Sequence, residues 1–474
     1  MTTPAHLADL HIIGIMTGNS LDGVDCVLTR FTPTGEMTDL AAHSKTLDKE
    51  MIRQLKMLRN AVENTHGDMP KAVNLLENKE KSFNDIHDAY LTYVAQTVRE
   101  LIAQNKNAAA KIDALAFHGQ TCAHNPPNAN RDNLDTTYTV QVGNGQQLAN
   151  DLGIPVVYDF RSDDLMNGGQ GAPLAPLHHL HLAEQLQKSA ENIFAFANAG
   201  NTSNFTLLGK STLGWDAGPC NHFPDYLMRT ETDELFDKDG TLAQTGAINT
   251  DLLAELFDHA ACTPGGGNFL LQGLPKSSDP QWYKNTDLLN QGSPIPFADR
   301  LRTACYFAAY VAAFSWSMLP ADIAKPTRLL LSGGGWKNPI IRESFSSLMA
   351  GLTNALPILP QHKDAFEKLT NPALVIEPSE KFGIDGTAME ARLFADLAAC
   401  RIMGVPFTTP STTGTNTPTV CGVIAWPDDY AKDGLLHQWL THFNSADLTT
   451  LPQGHDPRWN RAVKGWQKKL KKAA

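Results

Sequence analysis

The chain has 474 residues, of which 42% are hydrophobic and 19% charged, and its formal net charge is −11. This length exceeds what one hydrophobic core usually serves, and the composition is that of a globular rather than a disordered protein. The acidic balance disfavours a nucleic-acid partner. Seven scattered cysteines without a CxxC pair predict reduced thiols, no zinc site and a cytoplasmic location. The N-terminus lacks signal-peptide features, and no apolar run is long enough for a membrane span.

The first part of the chain alternates between strand and helix patterns. "LHIIGIM" and "VDCVLTRF" predict two strands around a small polar turn. Amphipathic helices are predicted at about 48–64 and 83–105, and "KIDALAFHGQT" predicts a buried strand. The stretch "YTVQVGNGQQLANDLGIPVVYDF" then predicts strand, turn, helix and strand. This alternation indicates an α/β architecture.

From residue 162 onward the sequence again predicts loops, strands and helices in alternation. Residues 162–176 are rich in glycine and proline and predict a loop without helix or strand. A second strand–turn–strand pattern at 192–209 resembles the first hairpin and places a domain boundary near 190. Further predictions are helices at 177–190, 249–260 and 297–319, a strand, three glycines and a helix within 328–345, a loop entering a helix at 383–399, and an exposed loop at 405–420.

The first turn is a candidate phosphate-binding loop. It reads "TGNSLDG", and its small residues would let backbone N–H groups approach an anion, while Asp22 could hold a hydrated Mg²⁺. An ordinary hairpin turn accounts for the same residues. The triple glycine 333–335 follows an apolar strand and suits either close approach of a ligand or a tight turn before a helix.

Two further groups of residues are candidates for a catalytic or ligand-binding role. Asp216, in "GWDAGPCN", suits a general base or a carboxylate that caps the following segment. "FHGQT" and "DFRSDD" place polar groups at the ends of predicted buried strands, where α/β sheets bind ligands. His118 there is either a sugar contact or a structural histidine. For His178, His179 and His181 we expect no metal site, because the sequence offers no clear carboxylate or cysteine partner.

Taken together and in order, these stretches resemble the anhydro-N-acetylmuramic acid kinase family, a branch of the superfamily of sugar kinases and actin. The resemblance covers roughly residues 11–425 and is carried by "TGNSLDGVD", "FHGQT", "QVGNGQQLA", "DFRSDDLMNGGQGAPL", "NAGNTSN", "GWDAGPCN", "LFDKDG", "LPKSS", "SGGGWKNP" and "GTAMEARLFADLA". It implies a two-lobed actin-like α/β fold with an interdomain cleft. The implied lobes are 1–190 and 191–382, with 383–474 returning to the first lobe and ending in a basic tail.

The resemblance also implies an activity. The family opens the 1,6-anhydro ring of its sugar and phosphorylates O6 with ATP and Mg²⁺, in the recycling of cell-wall peptidoglycan. Asp216 would be the base that activates water. Residues near ATP and Mg²⁺ would be Gly18, Asn19, Ser20, Asp22, Gly23, Asp25, Gly200, Asn201, Asn204, Gly333, Gly334, Gly335 and Asn338. Sugar-side residues would be His118, Gln120, Arg161, Gly218, Asn221 and Glu390, although Glu390 also suits a structural role. The family makes a homodimer plausible, with neither membrane nor nucleic acid as a partner.

The chain departs from the family pattern at several positions. Asn19 replaces a threonine, Asn201 and Cys220 each replace a glycine, and Asp279–Gln281 stand where the family has Gly-Arg-Glu. Two alternatives therefore stay open: a kinase of another anhydrosugar such as levoglucosan or of a plain sugar, and a degenerate relative that only binds nucleotide or sugar.

Overall fold

A computed structural model describes residues 7–77, 79–109, 111–127, 136–186, 194–263, 266–384, 386, 389–431, 434–443, 445 and 455–462. The chain divides into two compact units, Met1–His178 with Ala388–Ala474, and His179–Thr387. Each unit contains a β-sheet and packed helices, which confirms the predicted α/β class. The basic tail predicted at the end of the chain lies outside the described residues.

The first unit is built on a mixed sheet. Its strands are β1 Leu10–Thr17, β2 Gly23–Phe31, β3 Met37–Thr46, β4 Ala114–Asn125, β5 Tyr138–Val142, β6 Val156–Tyr158 and, from late in the chain, the strand Val423–Ala425. Within the described residues the order is Val423–Ala425, β6, β4, β1, β2, β3, with β5 paired to β4. β1 and β4 are parallel, and Thr17 at the end of β1 is the partner of Gln120 within β4.

Helices pack against this sheet, and two of them begin at residues that cap the helix N-terminus. They are α1 Lys49–Asn64, α2 Met69–Glu77, α3 Phe83–Gln104, α4 Gly145–Leu152, α5 Ser162–Met166 and α6 Ala175–Leu186, which crosses the unit boundary. Asp48 caps α1 by accepting from Met51 N at 2.7 Å, and Ser82 forms a capping box with Asp85 at the start of α3. The predicted helices at 48–64 and 83–105 are confirmed.

The second unit also contains a sheet with a β-hairpin, β7–β8. Its strands are β7 Phe194–Ala199, β8 Thr202–Leu207, β9 Leu213–Pro219, β10 Arg328–Ser332 and β11 Val375–Pro378. The order among the described residues is β11, β10, β7, β8, β9. Its helices are α7 His222–Glu231, α8 Thr250–His259, α9 Phe297–Ser315, α10 Pro339–Met349 and α11 Lys363–Leu369. The helix α9 is buried along nearly its whole length, as its apolar sequence predicts.

The chain then returns to the first unit through α12 Met389–Met403, the strand β12 Val423–Ala425 and α13 Leu435–His442. A Cβ built on Gly14 would lie only 1.8 Å from the carbonyl oxygen of Ala391, so glycine lets α12 pack directly on β1. An ion pair between Arg392 and Asp39, with atoms 2.5 Å apart, holds the same helix to β3. This packing brings the first turn of α12 to the end of β1.

Two predictions about loops are wrong. Residues 162–176 contain the helix α5 and the start of α6 rather than loop alone. Residues 405–420 are not a wholly exposed loop, because Phe407, Thr408, Thr412, Thr413 and Thr415 are buried. The cause is long-range pairing: the amide of Gln170 donates to Thr413 O, and Asn167 donates to Thr417 and Thr419. Across the described ranges, no helix combines the length and the apolar character that a bilayer crossing needs.

Candidate functional site

The turn between β1 and β2 is short and held from several sides. The amide of Leu21 donates to Gly18 O at 3.2 Å, and Leu21 has a positive φ of 58° while its side chain is buried. Arg59 on α1 donates to Asn19 O at 3.3 Å, and the amide of Leu47 donates to Asp22 O at 3.1 Å. The turn is thus fixed by neighbouring elements, with the side chains of Asn19, Ser20 and Asp22 left near the surface.

Three carboxylates lie close to this turn. Ser20 Oγ donates to Asp22 Oδ1 at 2.8 Å, and Ser44 Oγ donates to Asp25 Oδ1 at 2.5 Å. A Cβ built on Gly18 would lie 4.0 Å from Glu390 Oε2, so the start of α12 stands beside the turn. The predicted residues Gly18, Ser20, Asp22, Asp25 and Glu390 are therefore brought together. Gly23 opens β2, where a Cβ would approach Lys45 O to 2.9 Å.

The charges of these carboxylates act on one another. Burial raises the pKa of Asp25, the hydrogen bond from Ser44 opposes the shift, and the charge of Asp22 adds to it. Desolvation, followed by the charges of Asp25 and Asp22, raises the pKa of Glu390, and the charge of Arg161 opposes this rise. Like charges held together in this way favour a bound cation, and their donors are all oxygens, as Mg²⁺ prefers. The set fits Mg²⁺, with Asp22 and Asp25 as the residues that would hold it.

His118 and Arg161 form a second group in the first unit. His118 is buried, its Nδ1 lies 2.9 Å from Gly119 O, and its Nε2 accepts from Arg161 Nε at 3.0 Å. The carbonyl needs a proton on Nδ1 and the guanidinium needs a lone pair on Nε2, so the ring is the neutral Nδ1–H tautomer. Burial, and then the charge of Arg161, lower its pKa well below the usual value. The predicted pair is thus joined by a direct hydrogen bond.

The loop after β6 presents Arg161 and folds around a buried carboxylate. Arg161 Nη1 donates to Gly171 O at 2.7 Å. Asp164 is fully buried and accepts from Gly171 N at 2.6 Å and from Thr413 Oγ1 at 2.7 Å. A Cβ on Gly169 would lie 2.2 Å from Asp164 Oδ2, which explains the glycine there. The "GGQGAP" motif is therefore shaped by Asp164, a residue that the sequence analysis did not place in the site.

Gln120 has an unusual environment for a buried amide. It is 1% exposed, and its Nε2 donates to Thr121 O at 3.0 Å. Among the described residues no donor reaches its Oε1. A buried acceptor without a partner is costly, so this atom is suited to receive a hydrogen bond from a ligand.

In the second unit, the β7–β8 turn and the triple glycine pack against each other. Gly333 has a φ of 92°, and a Cβ there would lie 2.5 Å from both Ala199 O and Asn198 Oδ1. A Cβ on Gly335 would lie 2.8 Å from Cys220 Sγ, whereas one on Gly334 or Gly200 would meet nothing within 4 Å. Gly333 and Gly335 therefore serve the packing, and Gly334 and Gly200 are the open glycines that a phosphate could approach.

Asp216 lies on β9 next to this turn. Strand register pairs Asn204 with both Asn198 and Asp216. Asp216 Oδ2 accepts from Ser278 N at 2.8 Å, from Ser278 Oγ at 3.2 Å and from Ser277 Oγ at 3.4 Å. Such a set of donors suits an ionised carboxylate, which only accepts hydrogen bonds. The sequence predicted Asp216 but did not place the two serines in the site, although they belong to the quoted "LPKSS".

A chain of hydroxyl groups continues from Asp216. Ser278 Oγ lies 2.7 Å from Tyr283 OH, which lies 3.1 Å from Thr202 Oγ1. If Ser278 donates to Asp216, it must accept from Tyr283, which in turn accepts from Thr202. Burial, and then the charge of Asp216, raise the pKa of Tyr283, so it stays protonated as a donor. These contacts fix the orientation of the Asp216 carboxylate.

The remaining predicted residues of this unit have structural partners. Asn338 caps α10 by accepting from Ile340 N at 2.9 Å, and its amide contacts Cys305 Sγ at 3.6 Å. The amides of Cys220 and Asn221 donate to Asn201 O and Gly200 O at 2.9 and 3.1 Å, which ties the phosphate-side turn to the start of α7. Gly218 has a φ of 148°, and a Cβ there would lie 2.8 Å from Leu270 Cδ2.

Two of the residues that depart from the family pattern, Cys220 and Asp279, have local structural roles. Cys220 is 1% exposed and belongs to the hydrophobic core, against Gly335. Asp279 Oδ1 accepts from Gln281 N at 3.0 Å and caps a short 3₁₀ turn at Pro280–Trp282.

The histidines of α6 have buried partners. Contrary to the expectation of no carboxylate or cysteine partner, His178 Nδ1 lies 2.8 Å from Asp396 Oδ2. Ligand atoms of His181, Asp396 and Cys400 also lie within 4.8 Å of one another, a grouping that could hold a metal ion. His179 Nδ1 lies 2.8 Å from Thr206 Oγ1, and its ring stacks on Phe196 at a centroid distance of 4.4 Å.

A family model described as anhydro-N-acetylmuramic acid kinase matches residues 10–427. The chain belongs to the anhydro-N-acetylmuramic acid kinase family. Relatives of that name include one from Agrobacterium fabrum, 30% identical over 423 residues that cover 87% of this chain and 97% of the relative. Another, from Acidiphilium cryptum, is 32% identical over 428 residues that cover 89% of this chain and all of the relative.

Membership of the anhydro-N-acetylmuramic acid kinase family confirms the predicted resemblance and the predicted enzyme class, a carbohydrate kinase. Solved structures with similarity include a ROK-family glucokinase from Streptomyces griseus in complex with glucose and AMPPNP, 12% identical with a TM-score of 0.31, covering 82% of this chain and 98% of that one. Component A of an Acidaminococcus fermentans (R)-2-hydroxyglutaryl-CoA dehydratase is 9% identical with a TM-score of 0.34, at the same coverage. Both similarities are too distant to add to the family assignment.

Proposed function

We propose that this chain is an ATP-dependent kinase that hydrolytically opens the 1,6-anhydro ring of 1,6-anhydro-N-acetylmuramic acid and phosphorylates O6. The products would be N-acetylmuramic acid 6-phosphate and ADP. The observation that carries the proposal is the Asp216 carboxylate, held through Oδ2 by Ser278 and Ser277 and set beside Asn204 of the second hairpin. The match of the family model over residues 10–427 supports the choice of substrate.

In the proposed reaction, Asp216 accepts a proton from a water molecule whose oxygen attacks C1 of the sugar. The bond between C1 and O6 breaks, and O6 takes the γ-phosphoryl group of ATP while ADP leaves. A base within hydrogen-bond reach of its water typically contributes about 10²–10⁴-fold to the rate. Because Ser278 fixes one carboxylate oxygen, the basic atom is held in one orientation instead of rotating away from the water.

The other groups bind and position the reactants. Gly334 and the Gly200 turn would approach the phosphates with backbone N–H groups, and Mg²⁺ at Asp22 and Asp25 would neutralise phosphate charge. On the sugar side, Arg161 would offer a cationic donor, and the unpartnered Gln120 Oε1 would accept from a hydroxyl or amide of the sugar.

The proposal is tested with purified protein, ATP and Mg²⁺ against 1,6-anhydro-N-acetylmuramic acid, levoglucosan and glucose, measuring ADP and the 6-phosphosugar. We expect turnover with the first sugar in large excess over the others. Asp216→Asn keeps the hydrogen-bond acceptor for Ser278 but lacks the basic oxygen, so kcat should fall by about 10²–10⁴-fold with the melting temperature nearly unchanged. Preference for levoglucosan or glucose would refute the substrate, and ATP binding without turnover would refute the activity.

A further inference from the structure

The chain continues beyond the part that it shares with the family. The family model ends at residue 427, and the described segment 455–462, "HDPRWNRA", lies after that point. We call it the C-terminal clasp. It belongs to the same compact unit as the first turn and Arg161. Within the described residues, β5 pairs with β4 along one side only.

The clasp occupies the other side of β5. The amides of Thr139 and Gly143 donate to Ala462 O and Arg458 O at 3.0 and 2.9 Å, and the amide of Asn460 donates to Gln141 O at 3.1 Å. The Asn460 side chain adds bonds to Gln141 N, Gln141 Oε1 and Thr139 O, all between 2.9 and 3.2 Å. The clasp therefore satisfies backbone groups that an edge strand would leave open.

The clasp also contacts the loop after β6, which contains Arg161. Arg461 Nε donates to Asp159 Oδ2 at 2.6 Å, and its Nη2 lies 2.8 Å from Asp163 Oδ2. The amide of Ala462 donates to Ser162 Oγ at 2.9 Å. The clasp thus binds the residues on both sides of Arg161, which itself donates to His118 and to Gly171 O.

Arg461 also compensates two unfavourable features of this loop. Asp159 has a positive φ of 58°, a conformation that a non-glycine residue keeps only when its surroundings impose it. Burial, and to a smaller extent the charge of Asp159, raise the pKa of Asp163, and the charge of Arg461 opposes that rise. Without the guanidinium, two carboxylates would face each other with little solvent, and the loop would relax.

We propose that Arg461 is a positioning residue, through which the C-terminal clasp sets the geometry of Arg161 and His118 and thereby the affinity for the sugar. This inference rests on the proposed function, because it assigns the Arg161–His118 pair to sugar binding. Arg461 itself bonds to Asp159 and Asp163 and acts on the sugar only through them. The clasp is then a specificity element that this chain adds to the part it shares with its relatives.

The test compares Arg461→Met and Arg461→Lys with Arg458→Met in the full-length chain. Arg458 is the matched control, because it lies in the same segment but pairs with Asp456 and Asn84, away from Asp159 and Asp163. We expect Arg461→Met to raise KM for the anhydrosugar about tenfold, which corresponds to about 1.4 kcal/mol. KM for ATP should stay within twofold, Arg461→Lys should restore part of the sugar affinity, and Arg458→Met should change neither KM.

Two kinetic results would overturn the proposal. One is an unchanged sugar KM in folded Arg461→Met. The other is a parallel change of kcat and of both KM values together with the melting temperature, which would indicate a merely structural role. If Arg461→Met does not fold, Arg461→Lys decides in the same way, since a single Nζ replaces the two nitrogens, Nε and Nη2, that contact Asp159 and Asp163.

Hydrogen–deuterium exchange distinguishes a failure of this inference from a failure of the proposed function. In Arg461→Met, peptides covering 159–171 should exchange faster than in wild type, while the β7–β8 hairpin should be unchanged. If wild type turns over no anhydrosugar, the proposed function fails. Faster exchange confined to 159–171 would still support the positioning role, and unchanged exchange there would refute it.

Discussion

Replacing Lys276 by methionine should change how stability depends on pH. Lys276 is 1% exposed, and its Nζ donates to Phe269 O at 3.1 Å and to Leu270 O at 3.2 Å, above the Phe269 ring. Burial lowers its pKa to about 7, and the charge of Asp216 only partly opposes this. Methionine has a similar length and no titrating group. Comparing wild type with Lys276→Met therefore isolates the contribution of this one amine to stability.

The direction of the effect follows from proton binding. In the unfolded chain the amine titrates near its ordinary value of about 10.4, so between pH 7 and pH 10 the unfolded state holds more protons than the folded state. Stability therefore rises with pH over this window, and below pH 7 the protein bears the full cost of a buried ammonium group. Between pH 7 and pH 9, at about 1.4 kcal/mol per unit once the folded amine is neutral, the wild type should gain about 2 kcal/mol over Lys276→Met.

The assay is urea unfolding at pH 7, 8 and 9, followed by tryptophan fluorescence. The quantity of interest is the difference in free energy of unfolding between wild type and Lys276→Met, which cancels titrations common to both proteins. Lys284→Met removes an exposed lysine of the same unit and should give a difference independent of pH. Parallel profiles for wild type and Lys276→Met would refute the reasoning, because they would mean that Lys276 stays charged in the folded protein.

Other substitutions test other parts of the site. Ser278→Ala removes a hydroxyl donor to Asp216 but keeps the backbone amide, so kcat should fall about tenfold with a small change in KM, measured by steady-state kinetics. Gly333→Ala should lower the free energy of unfolding by about 1–3 kcal/mol, because φ is positive and Ala199 O is in the way, whereas Gly334→Ala should leave stability unchanged and raise KM for ATP. Asp22→Asn should increase the Mg²⁺ concentration needed for half-maximal activity severalfold; an unchanged Mg²⁺ titration would exclude Asp22 as a ligand.

The sequence predicted the local elements well because their signals are local. Alternating apolar residues and the turns at 18–22 and 200–201 predicted both hairpins, and the amphipathic pattern predicted the helices at 48–64 and 83–105. The motifs around Asp216 and Gly333–Gly335 also pointed to residues that the structure places against the β7–β8 hairpin. Their roles toward ATP and the sugar stay predictions.

Where the predictions were wrong, a distant segment supplied the missing interaction. The stretch 405–420 has the composition of an exposed loop, but Thr413 bonds to Asp164, 249 positions earlier in the chain. His178 was expected to lack a carboxylate partner, yet Asp396 is 218 positions away. Composition and spacing within a window carry no information about such contacts.

The sequence by itself determined the alternation of strand and helix, the two glycine-containing hairpins and the family, because periodicity, turn chemistry and ordered motifs are written along the chain. Only the tertiary structure decided which polar groups share a partner: Ser278 with Asp216, Arg161 with His118, and Arg461 with Asp159. The physical reason is that a buried polar group must find a hydrogen-bond partner wherever the fold places one, and that partner is chosen by packing in space rather than by distance along the chain.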